Sequence, residues 1–292
     1  MRPALRAKLQ ALGAELTPAM LQGTNALMAA IAAPRDPAIE VRRDQQYGPD
    51  PRNRLDIFRR GTPANAPVLV YVHGGGFVMG DKTRPDSPFF DNIGQWAAQQ
   101  GWIGVTLTYR LAPASRWPSG PEDMGHAVRW LQANIAALGG DPAGIILMGQ
   151  SAGGAHVAAY LAQKRFHDGA TSGIAGAVLI SGIYDALTQP GNHFSDAYYG
   201  EGAGLRSEAR CIEGLVASPV PLLFSVSEFD PPDFQDQALQ LAQAWHQQKG
   251  CYPPLEYLAG HNHLSPAQTI GSAEGQMAAR IAEFIAVISA GG

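Results

Sequence analysis

Charge is scarce in this chain. Only 16% of its 292 residues are Asp, Glu, Lys or Arg and the net charge is -4, so there is no basic face suited to nucleic acid. Long apolar runs are missing too: glycine, proline or charge cuts every hydrophobic stretch short of the ~20 residues a membrane-spanning helix requires. The N-terminus carries Arg2, Arg6 and Lys8, but Gln10 and Glu15 interrupt the residues after them, so no secretory h-region is present. The expectation is a cytoplasmic protein without a membrane partner. Cysteine is nearly absent, and Cys211 and Cys251 read as two free thiols with no chemical role. Internal repeats and low-complexity tracts are lacking. What remains is an ordinary globular composition, 46% hydrophobic and long enough for one large α/β domain or two small ones.

Periodicity chooses between those. Leu5, Leu9, Leu12 and Leu16 line one face of a leader helix, and Ala26 to Ala33 gives a second helical piece before Pro34, so residues 1–38 read as an N-terminal helical cap segment. From Ile39 the texture changes to extended runs: "IEVRRD", "RLDIF", "PVLVYV", "GWIGVTLTYR", "AGIILMGQS", "IAGAVLISG", "VPLLFSVSEFD" and "PLEYLAG". Helical spacing separates them, with Met124, Val128, Leu131 and Ile135 in one segment and Met277, Ile281, Phe284, Ile285 and Ile288 in the last. Apolar strands alternating with helices predict an α/β domain over 39–292, with a mostly parallel eight-stranded sheet covered on both faces. Residues 184–219, rich in glycine and aromatics and poorly periodic, read as a cap or pocket insert.

Gly149-Gln150-Ser151-Ala152-Gly153 fits G-x-S-x-G between a strand and the helix "AHVAAYLAQ". Glycines at such a turn leave the serine side chain clear of the backbone above a helix N-terminus. The bland alternative is an ordinary helix N-cap. Against it stands His73-Gly74-Gly75-Gly76 after the strand "VLVYV", a loop whose bare N–H groups suit an oxyanion. That loop lacks the Lys and Ser/Thr of a P-loop and the glycine spacing of a dinucleotide site.

A serine needs a base, and the base needs an orienting carboxylate. His73 belongs to the glycine loop; His126, His156, His167 and His246 fall in or beside helices; His193 lies in the insert. His261 and His263, in "LAGHNHLSP", sit between the last strand and the last helix, where the order Ser, acid, His puts a base. As a metal clip that pair lacks a third and fourth ligand at suitable spacing. For the acid, Asp233 reads as a helix N-cap after Pro231 and Pro232, with Asp236 in the first turn. Asp230, just beyond the strand, is the candidate, with Glu228 in reserve.

"HGGGFVMG", "YRLAP" from Tyr109 to Pro113, and "GQSAGG" together resemble the α/β-hydrolases of the hormone-sensitive-lipase-like esterase group. The resemblance implies Ser151 as nucleophile, Asp230 as acid and an oxyanion hole from the N–H groups of Gly75, Gly76 and Ala152. It also implies that Tyr109 and Arg110 hold the loops beneath the site. Two features depart from that group: Gln150 stands where Asp or Glu is usual, and "HNHLS" replaces a histidine followed by Gly-Phe. The latter looks more like the kynurenine formamidase and feruloyl-esterase-like branch of the fold, which makes His263 the base and His261 its competitor.

The expected chemistry is hydrolysis of a small-molecule ester, with short to medium acyl chains or an aromatic group, and with no cofactor or metal. Phe77, Tyr184, His193, Phe194, Tyr198 and Tyr199 would form an aromatic pocket wall, or else pack the insert against the body. An arylformamidase with the same triad and a ligand-binding homologue that lost the reaction are the rival readings. An exposed sheet edge or the final helix offers a homodimer surface.

Overall fold

Each apolar run becomes a strand whose alternate side chains enter two different cores. The strands are β1 (Ile39–Gln46), β2 (Arg54–Arg60), β3 (Ala66–Val72), β4 (Ile103–Leu107), β5 (Gly140–Gln150), β6 (Gly176–Ile180), β7 (Leu222–Phe229) and β8 (Leu255–Asn262). In the computed structural model, which describes residues 1–169 and 171–290, they form one eight-stranded sheet ordered β1-β2-β4-β3-β5-β6-β7-β8. β2 pairs antiparallel with β1 and β4, and every further pairing is parallel, as expected from the apolar runs.

The helices are α1 (Pro3–Ala11), α2 (Pro18–Ala29), α3 (Asp91–Gln99), α4 (Ser119–Asn134), α5 (Ala152–Ala162), α6 (His193–Tyr199), α7 (Ala203–Glu208), α8 (Ile212–Ala217), α9 (Pro232–Lys249), α10 (Ser265–Gln268) and α11 (Gln276–Ala290). Leu69, Tyr71, Ile146, Met148, Val178 and Ile180 point to one side of the sheet, under Leu5 and Leu9 of α1, Trp96 of α3 and Ile281 of α11. Val68, Val70, Val72, Leu147 and Leu179 point to the other, under Met124 and Leu131 of α4, Val157 of α5 and Leu241 of α9. The two-residue period of the strands thus divides one apolar run between two cores. Among the described residues no helix is long and apolar enough to cross a membrane.

The leader departs from its leucine spacing. Gly13, at φ 80°, follows the end of α1, and Thr17 then caps α2 by accepting a hydrogen bond from Met20 N, so Leu16 lies between the two helices. α1 packs on β8 and α2 on α10. The insert contains α6, α7 and α8, and the first of these is set by a capping box in which Asn192 accepts from Phe194 N and Ser195 N.

Candidate active site

β5 delivers Ser151 onto a turn that most side chains avoid, with φ 55° and ψ -123°, before α5 begins at Ala152. Such backbone strain persists only where the surroundings over-determine it. Here Ser151 N donates to the Ile180 carbonyl (3.0 Å) and the Ser151 carbonyl accepts from Ala155 N (3.0 Å). Gly153 then packs so tightly under β3 that a Cβ there would collide with the Val72 carbonyl oxygen.

The glycine loop lies directly against this elbow: a side-chain carbon on Gly74 would stand 3.1 Å from Ser151 Cβ. Gly75 sits at φ 133°, a region closed to most L-residues, and its carbonyl accepts from Met79 N (3.1 Å) and Val78 N (3.3 Å). Among the described residues, the N–H groups of Gly75, Gly76 and Ala152 find no protein acceptor. They are available as donors to a ligand.

The loop is held from below. Tyr109 Oη donates to the His73 carbonyl (2.9 Å), and its ring stacks on the His73 imidazole at 4.4 Å. Arg110 reaches Asp123 through Nε and its backbone N–H (both 2.8 Å), and Arg52 Nη2 donates to the Gly80 carbonyl (3.0 Å).

Asp230, fully buried just after β7, brings the remaining pieces together. Its Oδ1 lies 2.7 Å from His263 Nδ1, and its Oδ2 accepts from Ser181 Oγ (2.7 Å) and Ser227 N (2.6 Å). A carboxylate with both oxygens engaged is fixed in orientation, and it in turn fixes the imidazole. Phe234, in the first turn of α9, covers one face of that ring at 4.2 Å. His263 Nε2 is buried without a protein partner, so it is not bonded to Ser151 Oγ in this conformation. In ligand-free active sites such a contact is often long and closes on binding.

The competing candidates are engaged elsewhere. His261 lies within β8 rather than on the loop, because the strand runs on through Asn262, and its Nδ1 bonds to Ser265 Oγ (2.9 Å). Glu228 pairs with Arg6 and accepts from Gly260 N (2.6 Å), and the Arg6 hydrogen bond holds its pKa below the usual carboxylate value. Asp233 falls inside α9, whose N-cap is Pro231, so it occupies the first turn and not the cap.

A family model described as the alpha/beta hydrolase fold matches residues 69–212, from within β3 before the glycine loop to the start of α8 in the insert. The chain has the α/β-hydrolase fold. It is 35% identical over 154 residues to the esterase LipC of Mycobacterium tuberculosis, covering 49% of this chain and 37% of that one. It spans less than half the length of the first curated relatives it matches. Among solved structures, the hyperthermophilic esterase of the archaeon Pyrobaculum calidifontis shares its fold with a TM-score of 0.73 at 22% identity, over 99% of this chain and 98% of the other. A bacterial esterase of the hormone-sensitive lipase family gives 0.69 at 24% identity, over 98% of both. The resemblance read from the motifs is borne out.

The fold buries most of the expected aromatic wall. Phe77 stacks on Tyr198 at 4.6 Å and meets Tyr199 edge-on at 5.2 Å, while Tyr184 packs on Phe224 at 5.8 Å. None of these four is more than 5% exposed, so they join the insert to the body. His193 is exposed and Phe194 half-buried, with the Phe194 ring lying over Gly76. Ser181 and Phe234 were not legible as site residues. Ser181 directly follows β6 in a plain apolar context, and its left-handed φ of 45° has no signature in the text "LISG".

Three histidines of the chain are buried and neutral. Burial, the largest effect on each, lowers His73 to about 4, His156 to about 3 and His261 to about 4. In the unfolded chain they titrate near 6.5. Between about pH 6.5 and pH 4 the unfolded state therefore binds more protons than the folded one, and stability falls as pH falls. The melting temperature should drop across that window in a fluorimetric pH series. A midpoint that stays level from neutral pH down to about pH 4 would contradict the neutral burial of these rings.

Proposed function

We propose that this chain is a serine carboxylesterase acting on small esters through Ser151, His263 and Asp230. The observation that carries the reading is the buried Asp230–His263 contact of 2.7 Å, with Gln150, the neighbour of the strained Ser151, donating to the His263 carbonyl (2.6 Å). Ser151 Oγ attacks the ester carbonyl carbon while its proton passes to His263 Nε2, the ring nitrogen left without a protein partner. Asp230 accepts the hydrogen bond from Nδ1–H and so fixes the tautomer with the proton on Nδ1. The N–H groups of Gly75, Gly76 and Ala152 stabilise the tetrahedral oxyanion, each typically worth ~10² to 10³ in turnover. Collapse expels the alcohol, which takes the proton from Nε2. Water then repeats the sequence on the acyl-enzyme and returns free Ser151. No cofactor enters.

In this reading residues 39–292 are the catalytic domain, the 184–219 insert caps it, and residues 1–38 brace the His263 side through Thr24, which accepts from Asn262 Nδ2 (2.7 Å). The Phe194 ring above Gly76 favours short acyl chains, because the insert closes over the oxyanion loop. Activity on p-nitrophenyl esters should fall steeply beyond medium acyl length. Faster cleavage of long-chain triglyceride emulsions than of the butyrate ester would reject the small-ester reading. A fluorophosphonate probe should label the chain at Ser151. N-formylkynurenine assayed beside phenyl acetate separates an ester hydrolase from a formamidase using the same three residues.

A further inference from the structure

We infer that Gln150 is a positioning residue for the base, and that it acts only as a neutral amide, because its side chain joins Tyr71 to the backbone of His263. This inference rests on the triad reading above. Gln150 ends β5 beside Ser151 and is 4% exposed. Its Nε2 donates to the His263 carbonyl (2.6 Å) and reaches the Leu264 carbonyl at 3.5 Å, while its Oε1 accepts from Tyr71 Oη on β3 (2.9 Å). Carbonyls only accept, so the nitrogen half must face His263. The oxygen half then needs a donor. Tyr71 supplies it, since burial holds its hydroxyl well above the usual phenol pKa and so protonated. The neighbour of the serine thereby grips the main chain of the histidine across 113 residues of sequence.

A carboxylate of the same shape cannot do this while ionised, because an anionic oxygen would face the His263 carbonyl where an N–H now sits. It fits once protonated, with its O–H donating to that carbonyl. The groups bonded to this position are Tyr71 from β3, with Tyr109 and Arg84 acting on it, and the main-chain carbonyls of His263 and Leu264, the His263 imidazole itself being paired with Asp230. Among the described residues no cation bonds to the Gln150 side chain, so burial raises the pKa of a glutamate placed there. The acid form is then present at low pH and lost as pH rises through that raised pKa.

The test is kcat and KM for p-nitrophenyl butyrate across about pH 6 to 8.5, each variant divided by the unaltered protein at the same pH. Gln150→Glu should lose kcat on the order of 10- to 100-fold at the alkaline end, the scale of a misplaced catalytic group, with KM little changed. Its ratio to the unaltered protein should climb as pH falls. Gln150→Met, which can neither donate nor titrate, should give a low and flat ratio. Unchanged kcat in both variants, or a Gln150→Glu ratio that does not vary with pH, overturns the inference. Should Gln150→Glu fail to fold by circular dichroism, Tyr71→Phe carries the test. A several-fold fall in kcat at constant KM supports the inference, and an unaltered kcat overturns it. Ser151→Ala is assayed alongside: if it is inactive while the Gln150 and Tyr71 variants behave as the unaltered protein, this inference alone fails. If Ser151→Ala still turns over, the triad reading falls first.

Discussion

Ser151→Ala is expected to reduce hydrolysis of p-nitrophenyl butyrate on the order of 10⁶-fold, the cost of removing the nucleophile from a serine hydrolase triad. The protein should remain folded. Among the described residues Ser151 Oγ makes no hydrogen bond, so its removal leaves no partner stranded, and alanine meets the same φ of 55° as serine does. Circular dichroism and the melting temperature should match the unaltered protein, while fluorophosphonate labelling disappears. Turnover retained within a factor of about ten would reject Ser151 as nucleophile, because glycine-loop donors alone do not supply that rate.

The second large effect separates the two C-terminal histidines. His263→Ala should cost nearly as much as the loss of Ser151, since the members of such a triad act as a unit. Asp230→Asn should cost on the order of 10⁴, by favouring the wrong imidazole tautomer. His261→Ala should spare kcat and lower the melting temperature instead, because it vacates a fully buried site whose partner is Ser265, at about 2 kcal/mol or more by analogy with other core truncations. Measured in parallel, the two histidine variants should part by several orders of magnitude in turnover. Inactivation by His261→Ala with activity kept in His263→Ala would reverse the assignment and detach Asp230 from the reaction.

Much of this architecture is legible in the sequence. Apolar runs such as "PVLVYV" and "GIILM" are buried on both faces in a parallel sheet, so their composition alone marks them as strands. The glycine loop and the serine elbow were legible because close backbone approach excludes side chains, and that exclusion is written directly as glycine. Other features depend on where strands and helices stop, which composition records poorly. β8 continues through Asn262, which puts His261 in the sheet and leaves His263 free to meet Asp230. The aromatic residues of the insert belong to a packed cluster because α6 turns Tyr198 and Tyr199 inward onto Phe77. An amphipathic ring suits a pocket or a core equally, so residue type could not decide between them. Ser181 and Gln150 act through hydrogen bonds to residues 49 and 113 positions away, a range no local pattern encodes.

The hydrogen bonds that define the site link Tyr71 to Gln150 across 79 residues, Gln150 to His263 across 113, and Asp230 to His263 across 33. No two neighbouring segments hold it in miniature. Closing such long loops is entropically expensive and comes late when a chain organises itself. Turnover in a denatured sample returned to native buffer therefore marks completion of the central sheet, and recovered helical signal alone is no substitute for it.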